Sequence, residues 1–272
     1  MKMHNELIED INRTALAPGG LAFWWLGQMG YVVKAGGLVF YLDPYLAPQS
    51  NRQIPPLVAP EEVTHADWVL CSHDHSDHMD PVAIHGITKA SPKARFVCSR
   101  VARAKLLSLG VPPERVVGLD EGIVLEEPGL RISAIAAQHE FFHKDPELGY
   151  PYLMYVIEVG GRTILHAGDT LRYDGLQAKL SRWIYDILFL PINGRDAARF
   201  KRRCWGNMTY QEAVDLAGEL QPRLVVPGHY DMFANNAQDP HAFADYMDLK
   251  YPQVRYWIGD YGEAVILPMG CA

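Results

Sequence analysis

The sequence predicts a four-layer α/β sandwich, two β-sheets packed face to face with helices on both outer sides, as one domain over residues 1–272. Three observations predict it. The first half of the chain is a series of short runs rich in aromatic and β-branched residues and broken by glycine, the pattern of strands joined by turns. Helix signals are scattered among the strands without the steady alternation of a wholly parallel sheet. Apolar residues make up 49% of the chain and charged residues 21%, an ordinary globular balance that supplies a large core. No internal repeat, low-complexity stretch or Gly/Ser/Pro-rich linker divides it.

Taken in order, residues 21–27, 30–35 and 38–43 read as the first three strands, and residues 68–72 as a fourth. Asp80-Pro81 then starts a helix, with Asp80 as N-cap and proline at the first helical position. Residues 100–109 carry apolar side chains at helical spacing and stop at Gly110. Further strands are expected over 130–137, 152–159, 163–167 and 186–191. Thr209 and Glu212 form a capping box that opens a helix to about Leu220. A strand over 223–227, a helix over 240–249 and closing strands over 254–258 and 264–267 complete the chain.

The formal charge of -7 argues against a broad nucleic-acid surface, although a local basic pocket is compatible with it. Cys71, Cys98, Cys204 and Cys271 stand far apart with no CxxC pair, which suits reduced thiols better than a disulfide framework. The first residues are acidic where a signal peptide would be apolar, and no run approaches the ~18 apolar residues of a membrane span. The expected location is the cytoplasm, with neither nucleic acid nor membrane as partner.

The strongest chemical signal is Ser72-His73-Asp74-His75-Ser76-Asp77-His78. His73 and His75 are two apart, so on extended backbone both rings face one side. Neutral imidazoles and carboxylates are the usual ligands of zinc and similar divalent ions. The plain alternative, a surface loop that is rich in His and Asp by chance, gives no reason for so dense a set.

His73-x-His75-x-Asp77-His78 resembles the HxHxDH signature of the metallo-β-lactamase superfamily. Other superfamily motifs follow the same order: Asp43 after the third strand, His139 after 130–137, Asp169 in His166-Ala167-Gly168-Asp169-Thr170, and His229 in Val226-Pro227-Gly228-His229. The resemblance implies the αββα metallo-β-lactamase fold and two divalent ions, zinc or manganese. His73, His75 and His139 would hold the first; Asp77, His78 and His229 would hold the second, with Asp169 bridging both. It further implies that Asp43 orients a ligand imidazole by a hydrogen bond. The implied activity is hydrolysis by a hydroxide held between the two ions, with Asp77 and Asp169 as the catalytic carboxylates. His143 reads as a loop residue, His166 as core or as support to the ligands, and His4, His65, His85 and His241 as surface.

Five basic residues fall within nine positions at Arg195, Arg199, Lys201, Arg202 and Arg203. They precede the capped helix at Thr209 and suggest a pocket for a phosphate or carboxylate, with Arg195 and Arg203 as substrate-binding residues and Lys201 and Arg202 facing water. With Gly228-His229-Tyr230-Asp231-Met232-Phe233 and Asn236-x-x-Asp239-Pro240, this stretch looks like the L-ascorbate-6-phosphate lactonase branch of the superfamily. That resemblance implies a small anionic, phosphorylated sugar-acid lactone as substrate and allows a homo-oligomer. Two alternatives share the ligands: a phosphodiesterase, and a non-catalytic metal-binding member. Loss of ligands would mark the latter, yet none of the expected ones is missing. A redox di-iron relative would carry Glu where His75 stands.

Overall fold

The computed structural model describes residues 1–268 and so leaves Cys271 outside the described residues. Among the described residues, thirteen strands form two sheets. The first contains β1 (Leu21–Gly27), β2 (Gly30–Ala35), β3 (Leu38–Leu42), β4 (Trp68–Leu70), β5 (Arg95–Ser99) and β6 (Val116–Leu119), with β13 (Val265–Leu267) on the free edge of β1. The second contains β7 (Val124–Glu127), β8 (Leu130–Ala136), β9 (Leu153–Val159), β10 (Arg162–His166), β11 (Ile187–Pro191) and β12 (Leu224–Gly228), side by side in chain order. A hairpin makes the antiparallel pair β1–β2, a long connection makes the antiparallel pair β8–β9, and β3 to β6 and β10 to β12 run parallel. Each sheet is therefore mixed, and its parallel strands deliver several loops to one end.

Period-two alternation explains the layers. Along β1, Leu21, Phe23 and Trp25 point into the core between the sheets, and Ala22, Trp24 and Leu26 point to the outer face. That outer face is covered by α1 (Asn5–Arg13), α2 (Pro81–Ala90) and α3 (Arg103–Ser108), through Leu7, Ile11, Ile84, Ile87 and Leu106. The outer face of the second sheet is covered by α4 (Leu176–Leu180), α6 (Tyr210–Leu220) and α7 (Pro240–Lys250), through Leu176, Leu180, Val214, Phe243 and Met247. A short α5 (Ala197–Lys201) stands apart from this packing, with no buried residue. Strands with apolar residues on both faces are what a sheet between two layers requires.

The expected strand over 254–258 is not a strand. Among the described residues its only ladder contact is a single parallel bridge, Val225 with Tyr256, while Trp257 packs its ring edge-on to Phe23 at 5.3 Å. Its aromatic residues seal the core rather than extend a sheet. Strands β5, β6 and β7 and helix α1 add to the sequence expectation, and α1 is tied down by Trp24, whose indole nitrogen donates to Asp10 at 2.8 Å. Among the described residues, no helix is long and apolar enough to cross a membrane.

Candidate metal centre

Strand ends bring the chemistry together. Asp43 follows β3, the His73–His78 segment follows β4, His139 follows β8, Asp169 follows β10 and His229 follows β12. Among the described residues, three overlapping sets have ligand atoms within 4.8 Å of one another: His73, His75 and His139; His73, His78 and Asp169; and Asp77, His78 and His229. Asp169 stands between the outer two sets, its carboxylate oxygens 3.3 Å from His78 Nε2, 3.5 Å from His139 Nε2 and 3.2 Å from His229 Nε2. Gly168 makes this approach possible: its φ is +54° and a Cβ there would lie 2.4 Å from Ser72 Cβ.

Asp43 supports the cluster from behind. Fully buried, it accepts from the Ser72 amide and hydroxyl at 2.7 Å each, from His78 Nδ1 at 2.7 Å and from His166 Nε2 at 2.8 Å. The Ser72 hydroxyl spends its proton on Asp43, so it is left to accept from His73 Nδ1 at 3.0 Å. One carboxylate thus fixes the ring orientation of His78 directly and of His73 through Ser72, and both present Nε2 to the centre. Burial alone would raise the Asp43 carboxyl, but His166 and His78 beside it hold it well below the usual carboxylate range. His166 belongs to this support and not to the ligands.

The two outer sets differ in charge. Burial pushes the imidazoles of His73, His75 and His139 down, His139 to about 4, so this set is neutral and keeps its lone pairs. In the other set burial opposes protonation, but Asp169 and Asp77 raise both His78 and His229 above the ordinary histidine value. Buried atoms without a hydrogen-bond partner among the described residues include His73 Nε2, His78 Nε2 and Asp169 Oδ1. Such atoms are expensive to leave unpaired, and their donor types and mutual spacing fit divalent cations. Five of the seven non-glycine residues with positive φ among the described residues also lie here: Gln28, Asp43, Glu140, Arg203 and His229. Backbone strain of this kind is costly and concentrates where a site needs it.

His75, Asp77, His139, Asp169 and His229 form the floor of an open cavity of about 710 Å³, lined also by Tyr45, Asn51, Phe233, Asn236 and the segment Arg202-Arg203-Cys204-Trp205. Arg203 lines this cavity as expected, and so does Arg202, which was expected to face water. Arg195 does not line it. Its guanidinium donates two hydrogen bonds to Glu212, at 2.6 and 2.8 Å, and one to the Asn207 carbonyl at 3.3 Å. The capping box already holds Glu212 at the start of α6, with Thr209 N donating to Oε2 at 2.9 Å, so a fixed carboxylate captures Arg195. Arg199 is likewise used internally, on the carbonyls of Asn193 and Ala237.

Gly206 is a supporting residue that sequence reasoning missed. Its carbonyl accepts from His139 Nδ1 at 3.1 Å and its N–H donates to Glu140 at 2.8 Å, so the rim segment aims a ligand. A Cβ there would meet Arg195 Cβ at 2.4 Å. The aromatic Trp205 beside it was the available sequence signal. Gln28 was missed too; it is buried and touches both Asp77 and His229.

A family model described as "Beta-lactamase superfamily domain" matches residues 39–230, from β3 to the residue after His229. The chain belongs to the β-lactamase superfamily. Superfamily relatives include a UPF0173 metal-dependent hydrolase from Caldivirga maquilingensis, 28% identical over 247 residues that cover 90% of this chain and 97% of the relative. A probable L-ascorbate-6-phosphate lactonase, UlaG, from Escherichia fergusonii is 24% identical, covering 92% of this chain and 80% of the relative. The fold is shared with a metallo hydrolase from Ignicoccus hospitalis, with a TM-score of 0.71, 21% identity, and coverage of 91% of this chain and 98% of that one. The metallo-β-lactamase sandwich expected from the motifs is thus the fold of this superfamily member.

Proposed function

We propose that this metal-dependent hydrolase of the β-lactamase superfamily binds two divalent ions, zinc or manganese, and opens a phosphorylated sugar-acid lactone. The observation that carries the reading is one cavity with five of the seven candidate ligands, His75, Asp77, His139, Asp169 and His229, on its floor, His73 and His78 buried behind them, and on its wall two arginines, Arg202 and Arg203, that form no ion pair among the described residues. His73, His75 and His139 would hold one ion, Asp77, His78 and His229 the other, and Asp169 would touch both. When bound, such ions supply Lewis acidity, lowering the pKa of a water towards neutrality and polarising the electrophile's oxygen.

The chain's own groups do the rest. Arg202 and Arg203 bind a phosphate remote from the reacting carbonyl, and that binding energy orients the lactone over the floor. Asp77, whose side chain is 21% exposed, is the floor carboxylate that can accept the proton of the attacking water. It returns that proton to the alkoxide released when the ring C–O bond breaks. The likeness to a probable ascorbate-phosphate lactonase supports this substrate class. Arg202 and Arg203 would equally suit a phosphodiester, so the reaction class is the point to test. A panel of phosphorylated lactones, plain lactones and an aryl phosphodiester separates the readings, with elemental analysis of chelator-free protein giving the ion count. Fast turnover of phosphorylated lactones with two ions per chain is expected. Turnover of the phosphodiester alone would replace lactone opening by phosphodiester cleavage.

A further inference from the structure

The turn between β1 and β2 contributes a contact to the centre that lies outside the ligand motifs. Gln28, 1% exposed, sits in this turn with φ at +55°, a conformation unusual for a side chain of its length. Its main-chain carbonyl accepts from the His229 amide at 3.0 Å and from the Trp25 indole at 3.1 Å. Its carboxamide Nε2 donates to Asp77 Oδ2 at 2.7 Å and lies 2.9 Å from His229 Nε2. The opposite amide orientation would set Oε1 against a carboxylate, so the nitrogen is the atom that faces Asp77. Among the described residues, Gln28 makes no hydrogen bond to His73, His75 or His139.

A carboxylate oxygen has lone pairs to spare, so Asp77 can keep the Gln28 hydrogen bond and still ligate an ion. The Nε2 of a neutral imidazole has a single lone pair and cannot accept from Gln28 and ligate at once. We propose that Gln28 is a positioning residue for the Asp77–His78–His229 site alone. It holds the Asp77 carboxylate in its ligating orientation. This rests on the two-ion reading above.

Calorimetric titration of chelator-treated protein with zinc tests it. Gln28→Met keeps the side-chain length and loses the donor; Gln28→Gly loses the side chain and suits the positive φ, which guards against misfolding. Wild type is expected to show two classes of site, and both variants a weaker second class, by roughly ten- to a hundredfold, with the first unchanged. An intact second class in both variants overturns the inference alone. Equal losses at both classes also overturn it, because Gln28 would then support the fold in general. Wild type that binds one zinc or none overturns the two-ion reading and this inference with it.

Discussion

Beneath the cavity His73 and His78 are fully buried, with Asp169 on the floor only 5% exposed, and the two imidazoles are held from behind by Asp43, directly or through Ser72. On its wall, Arg202 and Arg203 are exposed, and neither forms an ion pair among the described residues. The difference teaches where precision is built in and where it is left to the substrate. Ligands must converge before an ion arrives, so their orientation is prepaid in folding. A guanidinium closing on a phosphate, as proposed for these two, would give up about 2 kcal/mol of rotamer freedom.

Breaking the floor should cost most. Asp169→Ala removes the one carboxylate between the two outer ligand sets and should lower the content of both ions, with activity falling beyond the roughly 10–100-fold of a supporting change. Elemental analysis and turnover on the same preparation check this; full retention of both ions would remove Asp169 from the bridging position. Asp43→Asn keeps the shape but weakens the acceptor shared by Ser72, His78 and His166. It should cost about ten- to a hundredfold in ion affinity or activity while the far-ultraviolet circular dichroism stays unchanged. Unaltered affinity would reduce Asp43 to a turn residue.

The wall sharpens the comparison. Charge-assisted contacts contribute about 1.5–3 kcal/mol each, so Arg203→Ala should lower kcat/KM on a phosphorylated lactone roughly ten- to a hundredfold and hardly touch the plain lactone. Equal losses on both would refute a phosphate contact at that residue. Arg195→Ala should leave the preference for phosphate alone. Its pair with Glu212 is about one-third exposed, so the change should appear as a small fall in thermal midpoint, worth at most about 1 kcal/mol. A large loss of phosphate preference would show that Arg195 reaches the substrate after all.

The converging cluster of candidate ligands was legible in the sequence because its members are tied to local rules. Alternation puts His73 and His75 on one side, Asp77 and His78 follow in the same segment, and His139, Asp169 and His229 each stand within three residues of the end of a strand whose apolar run announces it. Asp43 was legible for the same reason, although only the folded chain shows that its carboxylate serves Ser72, His78 and His166 together, up to 123 residues away. The helix starts at Asp80 and Thr209 were equally plain, since a cap bonds to backbone two or three residues on.

The tertiary structure alone decided the fates of arginines eight positions apart on one segment. Arg195 and Arg203 carry the same charge, but the carboxylate that captures Arg195 is 17 residues away and is aimed by a capping box. No local pattern encodes which cation a fixed carboxylate will take. Gln28 escaped notice similarly, because its contact with His229 spans 201 residues and exists only once the β1–β2 turn meets the end of β12. The sequence by itself determined which side chains could bind metal and where strands would end; packing of the two sheets decided which neighbours would hold those side chains and which charges would remain free.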